Sequence, residues 1–494
     1  MSCAIGCHGP CHALDAIVQP AASRGASRRA HPGAVVASYE ESSPMNRIAA
    51  AIVGGKAHWY LGLGPVHWRI LAACFLGWVF DGYEAYALFV VMPFVLQSLL
   101  TIDQLANRAV WAGVAISATL LGWGIGGMTG GVLADYIGRK RMMMYSVFFY
   151  ALFAGLTAFS SSFAAFCVLR FVTGLAMGSE WSTGVALLAE TWPDRARPKG
   201  AGFLQSGFGF GTLIAALVWL ALSQTALLGN ENWRLVFVVG ALPALFCLYI
   251  RRAIGESEKW AEAIRARRWA ATEQDAPRAA MPVEKRPFTL IEILREHESR
   301  RRVLLGFVLS LTTTVGWWAI SSWLPEFAAQ IARSQGLPNP AVFAARTALI
   351  YTCGAVFAYL LSGFIADAIG RRAYLFFTYL GALALTAVTY LWTRSPQILL
   401  WVAFVNGFFT LGCAYSWMAI YPPELFTSSV RATASAFIFN AARLIAWLFP
   451  ILAGTLIQTF GGVSRAALTL GCIYIVGLIV PWFAPETAGK PLPP

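Results

Sequence analysis

Five ionisable side chains stand inside long apolar stretches of this 494-residue sequence: Asp81, Glu84, Arg170, Glu180 and Arg443. A charge in hydrocarbon is costly, so such groups face a wet cavity or an opposite charge and mark proton or ion pathways. Asp81 and Glu84 are three apart and share one helix face. Glu180 lies ten residues from Arg170, about 15 Å of helix, and reads as a second proton site or a contact for a polar substrate group. Arg443, with Asn440 one turn before it, is the strongly basic group deep in the second half. A carboxylate or phosphate substrate would give it a partner; a span-end carboxylate or backbone carbonyls are the alternatives. No histidine falls in an apolar stretch, so proton traffic has to run on carboxylates.

A second set of charges sits where apolar stretches end. GGVLADYIGRKR at 130–141 is echoed by SGFIADAIGRRA at 362–373, an offset of 232 between Asp135 and Asp367. Glu190 and Arg197 recur as Glu424 and Arg431, at an offset of 234. This is an internal parallel repeat, a way of building secondary transporters. In each repeat the Gly-Arg turn can bend back toward carboxylates and a helix C-terminus. Asp135, Arg139, Glu190 and Arg197 are therefore expected to form a cytoplasmic latch in the first half, and Asp367, Arg371, Glu424 and Arg431 another in the second. The alternative for both sets is plain loop anchoring.

The elements that must position these groups are transmembrane helices. With 58% hydrophobic and 12% charged residues the chain is a polytopic membrane protein, since a soluble one of this size needs more charge to cover its surface. The net charge of +13 falls in short loops and one central connection, which is positive-inside topology rather than a nucleic-acid surface. Spans 1 to 6 are expected at 68–96, 110–134, 142–160, 163–189, 200–222 and 233–250. Spans 7 to 12 follow at 303–327, 343–366, 373–392, 397–420, 431–459 and 466–485. The domain reading is a tail at 1–65, one six-helix bundle at 66–251, a basic connector at 252–302, a second bundle at 303–485 and a tail at 486–494. Fourteen spans would need apolar material in the connector, where EKWAEAIRARRWAATEQ instead suits an amphipathic surface helix. The weakly charged loop at 101–108 lies outside and the basic turn at Arg139 inside, so both termini are cytoplasmic.

Smaller features have plain readings. Cys3, Cys7, His8, Cys11 and His12 match no standard zinc spacing, no signal peptide is evident, and Met45 is an alternative start. Cys74, Cys167, Cys247, Cys353, Cys413 and Cys472 read as small buried residues within spans. Trp68, Trp111, Trp233 and Trp482 read as interfacial anchors, and the glycines of spans 2, 4 and 5 as close helix contacts.

The repeated turn motif, with Arg170-Phe-Val-Thr-Gly174-Leu-Ala-Met-Gly178, resembles the major facilitator superfamily over nearly everything after residue 65. Gly178-Ser-Glu-Trp-Ser-Thr-Gly184, Ala189-Glu-Thr-Trp-Pro193, Gln205-Ser-Gly-Phe-Gly and Tyr421-Pro-Pro-Glu424 resemble its metabolite:proton symporters of the sialate, aromatic-acid and sugar-porter branches. Residues 205–211 lack the Gly-Pro ending of the drug antiporters' fifth span. The resemblance implies an all-α fold of twelve transmembrane helices in two six-helix bundles, without cofactor or metal. It also implies a monomer in an inner or plasma membrane, binding a small molecule and protons and no nucleic acid. In the sugar porters an acid of span 1 sits beside the span 4 arginine, and the motifs place Glu84 and Arg170 there. The family's path-lining spans point to Tyr83, Trp181, Gln205, Trp317, Trp318, Asn406 and Trp417, beside Asn440 and Arg443. The expected function is proton-coupled symport of a monocarboxylate, aromatic acid or acidic sugar. The alternatives are a proton-coupled sugar or polyol porter, a proton-independent facilitator and a non-transporting receptor. Nothing in the spans resembles an enzyme's nucleophile arrangement.

Overall fold

The computed structural model describes residues 58–105, 108–223, 225, 227–253, 255–258, 260–262, 289–427, 430–460 and 462–493. The Cys/His cluster at 3–12, Met45 and residues 263–288 of the connector lie outside the described residues. The chain divides into two units, Met1–Leu61 and Gly62–Pro494. The described part of the first is a turn closed by the Leu61 N–H on the His58 carbonyl at 3.1 Å.

The second unit is helical because an apolar segment without water must satisfy its backbone groups internally. Spans 1 to 5 are Pro65–Leu99, Arg108–Ile137, Arg139–Thr157, Phe163–Thr191 and Arg197–Ser223. Span 8 is Pro340–Ile369. Among the described residues nine helical stretches are long and apolar enough to cross a membrane. Spans 3, 6 and 11 are not among them. Span 3 opens on Arg139, Lys140 and Arg141. Span 6, expected to be continuous, is split into Trp233–Val239 and Pro243–Ala253. Pro243 has no amide hydrogen to donate and disfavours helix at the residue before it, so it opens a helix rather than continuing one. Span 11 is likewise in three pieces, Arg431–Ala441, Arg443–Ala446 and Phe449–Phe460.

Span 7 starts as His297–Val315, passes through a π turn at Gly316–Ile320 and ends as Leu324–Ser334. Spans 9 and 10 carry π turns at Val388–Trp392 and Phe408–Cys413. Such insertions recur where backbone is shaped for function. The basic turns depend on glycine: Gly138 has φ of 105° and Gly370 of 86°, which side chains with a Cβ rarely adopt. Spans 2 and 4 touch backbone to backbone, and a Cβ on Gly126 would fall on the Leu175 carbonyl.

Two expectations about single residues change. Trp233 is not an interfacial anchor but fully buried, edge-on to Phe166 with ring centroids 6.1 Å apart. Cys353 and Cys472 face outward rather than into the protein. Helical period decides the face, and neither residue type carries that information.

Candidate functional site

Arg443 lies where the spans converge. It is 3% exposed, with its guanidinium carbon 3.8 Å from the Phe439 ring centroid and 4.9 Å from that of Trp123. One Nη donates to the carbonyl of Phe439 in its own span. Its Nε has no acceptor among the described residues. The pocket beside it, about 20 Å³, is lined by Trp78, Trp123, Gln205, Trp317, Trp318 and Tyr415, among others. That is room for little more than a water. A cavity of about 290 Å³ continues past Phe208, Trp317 and Leu411, which line both spaces. Tyr86, Phe89, Thr212, Ser321, Ser322 and Tyr351 form much of its wall. Trp317 stands on the π turn of span 7, so the partition between the spaces is built on irregular backbone.

Of the nine residues expected along the path, Gln205, Trp317, Trp318 and Arg443 line the central pocket. Trp181 lies behind Gln205, its Nε1 donating to Oε1 at 2.5 Å and its ring stacked on Phe439 at 3.6 Å. The other four do not line it and make contacts elsewhere in the fold. The Tyr83 hydroxyl donates to the Val236 carbonyl at 2.8 Å, joining span 1 to span 6. Asn406 donates to Thr389 at 2.7 Å and accepts from Thr410 at 2.8 Å. Trp417 Nε1 donates to Thr313 at 3.2 Å. Asn440 donates to the Ala436 carbonyl at 2.9 Å and packs against Gly127. Trp78, Trp123 and Tyr415 carry no mark in the sequence that separates them from other aromatics of the spans.

The four buried carboxylic and basic groups of spans 1 and 4 sort into two pairs. Arg170 Nη1 is 2.9 Å from Glu84 Oε2, with neither side chain exposed. Phe237 lies 5.2 Å from the Arg170 guanidinium. Glu84 Oε1 has no partner among the described residues. It rests against Gly240, at the break in span 6, where a Cβ would collide with it. Asp81 and Glu180 form the second pair, 0% and 1% exposed and facing each other within hydrogen-bonding reach. No donor reaches any of their four oxygens among the described residues. Glu180 leans on Gly77 of span 1, which has room for it only because a Cβ is missing. Among the described residues no cluster of His, Cys, Asp and Glu could hold a metal ion.

At the end carrying the basic turns, the expected latch residues meet with different wiring. Arg139 pairs with Asp135 at 2.9 Å and Glu190 at 3.1 Å. Arg371 pairs with Asp367 at 2.7 Å and Glu424 at 2.9 Å. Arg197, expected beside Glu190, instead holds Asp194 at 2.6 Å. Arg431, expected within the second half, crosses to Glu190 of the first at 3.3 Å. Lys199 crosses the other way to Asp367, and the Thr433 N–H donates to Asp135 at 3.0 Å. The reason is packing: span 4 lies against span 11, as the Trp181–Phe439 stack shows, so the cation that joins Arg139 at buried Glu190 comes from the other bundle. The two expected sets thus form one ion-pair network, and it joins the halves.

Two further carboxylates belong to it. Glu256 of the connector accepts from the N–H groups of Arg139 and Lys140 at 2.9 and 3.2 Å. Glu486, in the segment expected to be a tail, accepts from those of Arg371 and Arg372 at 2.9 and 3.0 Å. Each caps the free amides at a helix N-terminus. The Ser257 hydroxyl donates to Glu190, and that of Thr487 to Glu424 at 2.6 Å. The signal was present as a third echo, Glu256-Ser257 and Glu486-Thr487, at an offset of 230. Burial pushes the Glu486 carboxyl up, but the N–H groups of Arg372, Arg371, Ala488 and Thr487 outweigh it and hold it below the usual carboxylate range. Its contribution to stability is therefore present above the ordinary glutamate value, about 4.3, and is lost as pH falls through the lower folded-state value.

The sugar (and other) transporter family matches residues 51–493. The chain is a major facilitator transporter. This transporter is 29% identical over 433 residues to a probable 4-methylmuconolactone transporter of Cupriavidus pinatubonensis, covering 87% of this chain and 93% of that one. It is 27% identical over 428 residues to the cis,cis-muconate transport protein of Acinetobacter baylyi, covering 85% and 94%. The solved proton:xylose symporter XylE bound to 6-bromo-6-deoxy-D-glucose superposes with a TM-score of 0.68 at 19% identity, covering 86% of this chain and 98% of that one. That likeness shows a shared fold, and the transporter is an all-α, multi-pass membrane protein with the twelve-helix architecture.

Proposed function

We propose that this transporter carries a small organic anion together with a proton, by alternating access between bundles at 66–251 and 303–485. One observation carries the reading. Arg443 Nε, Trp78 Nε1 and Trp123 Nε1 belong to the central pocket and have no hydrogen-bond partner among the described residues. A buried polar group left without a partner costs about 1–3 kcal/mol, and a carboxylate offers four acceptor positions. A carboxylate substrate relieves these donors and gives Arg443 a charge-assisted contact. Muconate, in one relative's name, is such an anion, and the aromatic walls suit an unsaturated or ring-shaped body. Glu84 is the coupling acid: ionised it holds Arg170, protonated it releases it, and the break at Gly240 lets its carboxyl move. The basic end faces the cytoplasm, with both termini on that side, and its cross-bundle ion pairs close that side.

A neutral sugar or polyol is the second reading, favoured by the hydroxyls of Thr212, Ser321, Ser322 and Tyr351 beside aromatic faces in the larger cavity. Uptake by proteoliposomes of cis,cis-muconate, benzoate, sialic acid and xylose under an imposed pH gradient tests both. Acid uptake that stops when the gradient is collapsed is expected. Xylose uptake alone favours the second reading, and acid accumulation indifferent to the gradient removes the coupling.

The closure reading has its own test. Arg431→Gln removes a cross-bundle ion pair and leaves Glu190 to Arg139. Turnover is expected to fall severalfold with substrate binding retained, and spin-label distances across the basic end to lengthen. An unchanged distance distribution would reduce the network to loop anchoring.

A further inference from the structure

The pair Asp81 and Glu180 is not used by the reading above. Both acids are buried, they come from different spans, and they face each other with no donor reaching them among the described residues. Two carboxylates in contact away from water cannot both carry charge at tolerable cost, so the pair needs a proton between them. The groups facing it on neighbouring elements fit that count. Glu84, on the same face of span 1, is already balanced by Arg170. Cys74 of span 1 and Tyr150 of span 3 also face the pair, and the Tyr150 hydroxyl, buried, has no partner of its own among the described residues. The cation whose charge acts on Asp81 is Arg443 of span 11, without a direct ion pair between them.

We propose that Asp81 and Glu180 share one proton in the empty transporter and take up a second when a substrate anion occupies Arg443. This deepens, and rests on, the assignment of Arg443 as the anion contact. The charges balance in both states. When empty, the singly protonated pair carries one negative charge beside the Arg443 guanidinium. When loaded, the anion neutralises Arg443 and the incoming proton neutralises the pair. An ionised Asp81 competes with substrate for Arg443, so proton and anion each raise the other's affinity, as linkage requires. One proton and one anion then enter the pocket together without added net charge.

The first arm of the test needs no substrate. Infrared spectra of the reconstituted transporter at neutral pH are expected to show a protonated-carboxyl carbonyl band that Asp81→Asn/Glu180→Gln removes and Glu84→Gln keeps. Absence of the band in the native protein, or its survival in the double variant, overturns the shared proton. The second arm measures benzoate affinity against pH. In the native protein affinity is expected to fall about tenfold per pH unit once the second proton is no longer held, and the double variant is expected to be flat. Should the double variant not fold, Asp81→Asn alone is expected to flatten the profile, because Asp81 is the member on which the Arg443 charge acts. If Arg443→Gln weakens benzoate binding but the slope survives these variants, the coupling is overturned and the anion site stands. If Arg443→Gln leaves benzoate binding unchanged, the anion site itself falls, and the coupling built on it falls too.

Discussion

Glu84→Gln is expected to abolish uphill accumulation of substrate while leaving downhill exchange in place. The substitution keeps the shape of the side chain but fixes it in a form that cannot ionise, so the 2.9 Å ion pair with Arg170 is lost for good. Arg170 is left fully buried with only a neutral amide beside it and the Phe237 ring 5.2 Å away. A transporter whose bundle arrangement no longer depends on that proton can still exchange substrate down its gradient. Without the Glu84 proton to select the bundle arrangement, the proton on Asp81 and Glu180 changes substrate affinity but does not hold transport to the gradient. The drop in accumulation should approach the full concentration ratio the gradient sustains, and counterflow of labelled substrate in proteoliposomes should continue. If the variant still accumulates substrate with an unchanged proton-to-substrate ratio, Glu84 carries no coupling proton, and the proton taken up by Asp81 and Glu180 sustains the uptake alone.

Arg443→Gln carries the second large effect. For an anionic substrate the loss of one charge-assisted contact in a buried pocket amounts to roughly 1.5 to 3 kcal/mol, about a ten- to hundredfold rise in Kd. The change should fall mainly on binding, with a further effect on the charge that Asp81 and Glu180 share beside Arg443. Arg443 makes its hydrogen bond to a carbonyl of its own span and otherwise rests against the Phe439 and Trp123 rings, so no ion pair of the fold among the described residues is lost with it. Titration of benzoate against the tryptophan fluorescence of the pocket measures it. Undiminished benzoate binding would remove Arg443 from the site and turn attention to the hydroxyl-lined cavity and a neutral substrate.

Much of this could be read before any coordinates. The apolar stretches place spans 1 to 5 within a few residues of where the helices run. The breaks were harder. Gly240 and Pro243 stand in a run as apolar as any other, and a span split after Val239 differs from a continuous one only through neighbours such as Glu84 that occupy the space. The pocket was half legible. Arg443 and Gln205 announce themselves as polar residues in hydrocarbon, whereas Trp78 and Trp123 look like any other tryptophan of a span.

What the sequence determined by itself are properties local to a stretch or to the repeat: the helices, the glycine turns at Gly138 and Gly370, the five buried charges and the doubled Asp, Arg and Glu marks. These follow from the cost of charge and of unpaired backbone in hydrocarbon, which each segment meets alone. Partner choice was decided only in the tertiary structure. Arg431 crosses to Glu190 while Arg197 stays with Asp194, and Glu180 meets Asp81 rather than Arg170. An ion pair forms with whichever opposite charge packing brings within about 4 Å. In a repeated chain each group has equivalent candidates in both halves, and only the meeting of span 4 with spans 1 and 11 tells them apart.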